Sequence, residues 1–225
     1  MLNKQKGNMY PWVTHTWNPI KGKCPHDCEY CYMKRFPLNP VRLDEGEFNT
    51  NLGMDNTIFV GSSCDMWAKE IPDEWIEKIL RYIFGKYWGN TYLFQSKNPK
   101  RFFDFIYSNI AISSDTIFAT TLETNRNTNS KAPEPSERVP WMWEFTDRKY
   151  CNFKRMISIE PILDFDLIEF SMMIRNIHPD FVSIGADSQG HELQEPSKEK
   201  TLELIEGLKT FTEVKIKDNL KRIIM

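Results

Sequence analysis

Two rhythms of apolar residues alternate along this chain. Short β-prone runs at 13–17, 57–61, 91–95, 116–120, 155–159 and 180–185 read as strands, with 213–216 as a short seventh. Between them lie stretches with helical spacing. Trp75, Ile76, Ile79, Leu80, Ile83 and Phe84 predict a helix over 73–84, started by Pro72 and Asp73. Phe102, Phe103, Phe105 and Ile106 mark a second helix, Leu167, Ile168, Phe170, Met172 and Ile174 a third, and Leu202, Ile205 and Leu208 a fourth. The polar, proline-bearing stretch 127–140 reads as a loop leading into a short aromatic helix at 141–145, and a turn of helix closes the chain.

Strands alternating with helices predict an α/β fold built on a parallel sheet. Six or seven such units can curve into a partial (β/α)6-type open barrel, here one domain over residues 1–225. In β/α barrels the active site lies at the C-terminal ends of the strands. The residues that follow each strand are therefore the candidates for chemistry.

Composition supports a chain that can bury a core: 225 residues, 40% hydrophobic and 27% charged. The net charge of −2 gives no global basic field for nucleic acid. Residues 1–36 nevertheless carry Lys4, Lys6, Lys21, Lys23, Lys34 and Arg35 against Asp27 and Glu29, either a basic rim or a solvated face. No apolar run is long enough for a membrane span, and the N-terminus lacks the apolar centre of a signal peptide. Five cysteines, three of them clustered, argue against a disulfide framework and for a reducing, cytoplasmic setting.

The clustered three are Cys24, Cys28 and Cys31, spaced C-x3-C-x2-C with Tyr30 just before the last. Iron–sulfur clusters are held by cysteine thiolates, usually four. Three thiolates without a near fourth suit a 4Fe-4S cluster that leaves one iron open. A zinc site completed by His26 or a remote ligand is the alternative, although zinc sites usually pair two C-x2-C knuckles. His26 reads as an exposed loop residue that could also tune a cluster. Cys151 reads as structural.

The cysteine run, in a loop after the first strand, resembles the radical S-adenosylmethionine (radical SAM) superfamily. Thr16-Trp17-Asn18-Pro19, Ser96-Lys97-Asn98-Pro99, Leu122-Glu123-Thr124-Asn125 and Ser158-Ile159-Glu160-Pro161 are similar to a radical-SAM-like branch found in phages and prokaryotes. The resemblance implies a 4Fe-4S cluster on Cys24, Cys28 and Cys31, S-adenosylmethionine on the fourth iron, and an external electron donor. It implies a 5′-deoxyadenosyl radical that abstracts hydrogen from a substrate.

It also directs attention to the strand ends. Where the superfamily often has a Gly-Gly-Glu-like stretch, this chain has Gly61-Ser62-Ser63-Cys64-Asp65, whose first three residues are candidates for the cofactor's amino group through backbone oxygens. Glu123 could accept from ribose hydroxyls, and Thr121 shares its strand face. Lys97 and Arg126 could each pair with the cofactor carboxylate, or form a surface salt bridge. Glu160 is a cofactor or substrate ligand, or a structural acceptor; Asp187 and Ser188 are weaker versions of it. Cys64 could return hydrogen to a product radical, or be a small buried cysteine. Tyr30 and Trp17 are the aromatics expected near the cofactor.

The substrate expected from the basic segment, the tryptophans and the phage-linked branch is a nucleotide or nucleic acid. A partner protein or large substrate could close the side of the open barrel. The other class of function is a non-catalytic binding module whose N-terminal loop is stapled by metal or cluster, binding nucleic acid or protein.

Overall fold

The structure is a computed structural model and describes residues 1–145 and 153–225. Its strands and helices, in chain order, are β1 (Asn3–Lys4), β2 (His15–Trp17), β3 (Ile20–Lys21), β4 (Arg42–Leu43), β5 (Thr57–Val60), α1 (Asp73–Lys86), β6 (Thr91–Ser96), α2 (Lys100–Ile106), β7 (Ile117–Thr121), α3 (Pro135–Glu144), β8 (Lys154–Ile159), α4 (Leu167–Ile177), β9 (Phe181–Ile184), α5 (Lys198–Lys209), β10 (Glu213–Ile216) and α6 (Lys221–Ile224). One sheet runs β1-β2-β5-β6-β7-β8-β9-β10. It is parallel from β2 to β10, and β1 adds an antiparallel edge through Asn3↔Thr16 and Lys4↔His15. The sheet stays open, as the partial-barrel expectation required, and the seven expected strands are β2 and β5 to β10.

Side chains alternate across a strand, and that alternation sorts this sheet into two faces. Ile58, Val60, Tyr92, Phe94, Phe118, Ile157, Ile159, Val182 and Ile184 point outward into the large core shared with the helices. The opposite face carries Phe59, Leu93, Ile117, Ala119, Met156 and Phe181 near the strand starts. Two residues further along, Gln95, Thr121 and Ser158 replace them with polar groups. The concave face is thus apolar below and polar above.

The N-terminal segment fills the apolar part. Tyr10 and Val13 are buried in that inner cluster, and Trp12 stacks on Tyr10 at 5.4 Å and meets Phe181 edge-on at 5.3 Å. The Tyr10 hydroxyl reaches the polar layer, 2.8 Å from both Gln95 Oε1 and Ser158 Oγ. Burial, and then the charge of Glu160, push its pKa far up. Tyr10 is held as a neutral hydrogen-bonding group.

Two elements correct the sequence expectation. The stretch 127–140 is not all loop, because α3 begins at Pro135. The Glu137 carboxylate accepts the Glu134 N–H at 2.8 Å, and Pro135 occupies the first helical turn, a combination that starts helices. Pro140 sits inside that helix and hides the signal from a reading that treats proline as a breaker. The second correction is the β3–β4 hairpin, which pairs Ile20 with Leu43 and Lys21 with Arg42 and closes the base of the cysteine loop. Just inside that base, a Cβ on Gly22 would collide with the carbonyl oxygens of Asn39 and Pro40, so only glycine fits.

Candidate functional site

The hairpin presents Cys24, Cys28 and Cys31 beside the C-terminal ends of β5, β6 and β7. All three are free thiols, Cys28 buried and the other two half-buried. The loop is tied to the sheet through two carboxylates. Asp65, just after β5, is bonded by His26 Nε2, Ser96 Oγ and the Lys97 N–H, each at 2.9 Å from Oδ2, while the Trp67 N–H bonds Oδ1 at 2.9 Å. Burial opposes its ionisation, but the charge and hydrogen bond of His26 and the two amides hold its carboxyl below the usual range. His26 is raised in turn by Asp65 against its own burial. It is 3% exposed, which corrects the expectation of an exposed loop residue: the partner after β5 draws it inward.

The second carboxylate is Glu123, after β7, with no exposed side-chain surface. Tyr30 donates to it at 2.5 Å, Arg138 of α3 at 2.8 Å, and Lys97 also donates to Oε1. Burial raises a carboxyl pKa; here Lys97 and Arg138 overcome it and hold Glu123 well below the ordinary value. Lys97 also lies 5.2 Å from the Tyr30 ring centroid. Burial and then Glu123 drive the Tyr30 pKa up, so its proton stays on. Arg138 further donates to the carbonyls of Pro133 and Thr121 at 2.7 Å.

The remaining strand-end residues sort by contact. Cys64 is buried, and its thiol shares a hydrogen bond with Cys24. That bond pulls Cys24 down to about 7 and, with burial, pushes Cys64 up. Burial raises Cys28 and Cys31. The Gly61 carbonyl accepts from Cys64 N–H at 3.3 Å, and the Ser62 carbonyl from Tyr32 hydroxyl at 2.8 Å. Asn18 organises this stretch by accepting from Ser62 Oγ and the Ser63 N–H. Thr121 Oγ1 accepts from Gln95 Nε2 at 3.0 Å.

Arg126 stands apart from Lys97. It grips Asp164 at 2.6 Å and Asp166 at 2.6 and 3.0 Å, and it shares the lining of a cavity of about 200 Å³ with Tyr30. Glu160 receives Asn8 at 2.9 Å, Lys217 at 2.6 Å and Asn219 at 3.2 Å. Asp187 accepts from His191 and from the Gln189 N–H within its own loop. Trp17 lies on the other face, fully buried and stacked at 5.5 Å on Tyr82 of α1. Cys151 lies outside the described residues.

Among the described residues, no three His, Cys, Asp or Glu side chains stand where they could hold one metal ion. A cubane cluster asks for something else: each thiolate takes its own iron, so the sulfurs stand apart. Three free thiols on one hairpin-closed loop are the right donors for it. Within the loop, Lys23 and Lys34, joined by Lys131 from outside it, gather at 3.2–3.4 Å around Asp27, whose carboxyl falls to about 2 under Lys34 and then Lys23.

Among solved structures, spore photoproduct lyase recurs as a neighbour of this architecture. A cysteine-to-alanine variant of spore photoproduct lyase with dinucleoside spore photoproduct has a TM-score of 0.69 at 11% identity, over 94% of this chain and 78% of that one. The chain shares the fold of spore photoproduct lyase. A cysteine-to-serine variant of that lyase gives 0.68 at 11% identity over the same shares. A double variant with bound AdoMet and dinucleoside spore photoproduct gives 0.56 at 11%, over 92% of this chain and 64% of that one. No family model and no curated protein matches the chain. No helix among the described residues is long and apolar enough to cross a membrane.

Proposed function

We propose that residues 1–225 form one radical SAM enzyme domain that works in the cytoplasm. The observation that carries this reading is the hairpin-closed loop with three free thiols at the C-terminal edge of a sheet shared with spore photoproduct lyase. Cys24, Cys28 and Cys31 would hold a 4Fe-4S cluster as thiolates. The bound cluster and S-adenosylmethionine supply a 5′-deoxyadenosyl radical that abstracts hydrogen from the substrate.

The chain's own residues supply place and exclusion. Asp65 and Glu123 brace the cysteine loop through His26 and Tyr30. Lys97 brings a cation to the loop next to Tyr30, at the end of β6, and Gly61, Ser62 and Ser63 follow the paired strand β5. Tyr30 and Arg126, which line the smaller cavity together, are assigned to the cofactor's nucleoside end. Thr121 and Glu160 complete the cofactor set, while Glu123, its oxygens taken by Tyr30, Lys97 and Arg138, serves the cofactor through the loop it braces. Cys64 is assigned the return of a hydrogen atom to the product radical. Its burial and its contact with Cys24 support a place within the site.

The substrate class that fits is a nucleotide or nucleic acid, as the lyase neighbours hold a dinucleoside lesion. An external donor delivers the electron, and a partner protein can cover the open side.

The test is anaerobic reconstitution, iron and sulfide analysis, and measurement of 5′-deoxyadenosine and methionine after reduction. A loaded cluster that never cleaves S-adenosylmethionine refutes the reading. Zinc without iron or sulfide makes the loop a metal-stapled binding module instead.

A further inference from the structure

A second and larger cavity lies where the last two strands end. It measures about 1060 Å³, within reach of a nucleoside or dinucleoside, and is walled by the N-terminal segment and by the loops after β9 and β10. The wall meets the cysteine loop directly: Arg35, four residues past Cys31, donates to Gln189 at 3.2 Å. Leu193 lines this cavity and also the smaller one beside Tyr30.

Its chemistry is selective. Two cations face it, and both are committed. Lys217 is 6% exposed and pairs with Glu160 at 2.6 Å. Arg222 grips Glu195 through both terminal nitrogens, at 2.6 Å for Nη1, and also donates to the Asp187 carbonyl. The carboxylates Asp187, Glu192, Glu195 and Asp218 outnumber those cations on the wall. Phosphate recognition needs uncommitted Arg or Lys, or converging N–H groups, and none of the cavity's cations is uncommitted.

The rest of the wall suits a neutral heterocycle. The side chains of Gln5 and Asn8 present amides, a group able to donate and accept as a base edge requires. Asn219 is held through Nδ2 by Glu160 and the Ala186 carbonyl, and its buried Oδ1 has no partner. Met9, Pro11 and Leu193 offer apolar surface to a ring face. Gly185 makes this arrangement possible: a Cβ there would sit 2.8 Å from the Glu160 carboxyl and 3.0 Å from Asn219 Oδ1.

We propose that this cavity is the substrate site and admits an uncharged nucleoside moiety, while the phosphates of any larger substrate stay outside it. The proposal rests on the radical SAM reading for what happens next, but binding can be measured without turnover. The reconstituted, unreduced protein with S-adenosylmethionine is titrated with the four common deoxynucleosides and with their 5′-monophosphates, by saturation-transfer NMR or calorimetry.

At least one nucleoside should bind, and its monophosphate at least tenfold more weakly. Glu195→Gln frees Arg222, and should raise monophosphate affinity at least fivefold while changing nucleoside affinity less than twofold. Asn219→Ala should weaken nucleoside binding. A monophosphate that binds as tightly as its nucleoside, no nucleoside binding at all, or no change in Glu195→Gln overturns the proposal. Cofactor cleavage with no nucleoside binding sinks this inference alone. Nucleoside binding with no cofactor cleavage sinks the catalytic reading and leaves the cavity assignment standing.

Discussion

Replacing Glu123 by glutamine tests whether the buried charge network holds the cysteine loop. The side chain has no exposed surface; its partner Arg138 has none either, and Lys97 is 15% exposed. Glutamine keeps the shape and removes the charge. Two cations are then left facing a neutral amide, one of them fully buried. Removing one partner of a buried ion pair costs about 3–5 kcal/mol, because the other charge loses its compensation. With a urea m-value of about 2–3 kcal/mol/M, that loss moves the denaturation midpoint down by about 1–2.5 M.

The sign of the pH dependence is fixed by the same network. The folded Glu123 carboxyl lies below its unfolded value. Its stabilisation is therefore complete above the unfolded value of about 4.3 and is lost as pH falls towards the folded one. The gap between wild type and Glu123→Gln should be constant from neutral pH down to about that value and narrow beneath it. Arg138→Met supplies the control, since Glu123 keeps Lys97 and Tyr30. The two single losses should exceed the loss in the double variant, giving a coupling of about 0.5–3 kcal/mol between residues in contact. A Glu123→Gln stability within about 0.5 kcal/mol of wild type at pH 7, the range of ordinary surface changes, refutes the argument that this carboxylate braces the loop.

Three further outcomes follow from the contacts around the site. Cys64→Ala should keep its iron and sulfide and still cleave S-adenosylmethionine, yet fail to complete turnover of substrate; loss of iron would instead make Cys64 a cluster ligand. Asp65→Asn takes the charge from His26 and should cost about 1–3 kcal/mol and lower the iron loaded on reconstitution, read by metal analysis; unchanged stability and loading would remove its bracing role. Tyr10→Phe deletes the hydroxyl between Gln95 and Ser158 and leaves the buried Ser158 hydroxyl and the half-buried Gln95 amide short of a partner, at a cost of about 1–3 kcal/mol in chemical denaturation; a neutral result would mean water replaces it.

The sheet was legible because each strand is a compact apolar run, and a parallel sheet buried on its outer face needs such runs. The cysteine loop was legible because its three ligands are neighbours in sequence. What escaped are features made by partners far apart. The β3–β4 hairpin joins Ile20 to Leu43 across the whole cysteine loop, and no local pattern in two-residue strands announces it. Tyr10 meets Ser158 across 148 positions; its place inside the sheet follows from the apolar patch on the concave face, which only the assembled strands create.

Helix α3 differs in kind, since Glu134, Pro135 and Glu137 carry its start signal openly and Pro140 masks it. That one misreading hides Arg138, because a residue placed in a loop has no defined face to present. Glu123 then looks like a strand-end carboxylate with free oxygens, when Tyr30, Lys97 and Arg138 already converge on it. Position after a strand selects the residues that reach the mouth of such a sheet. Which of them stay open to a ligand is decided by the partners the helices deliver, and here the helix that decides it begins at Pro135.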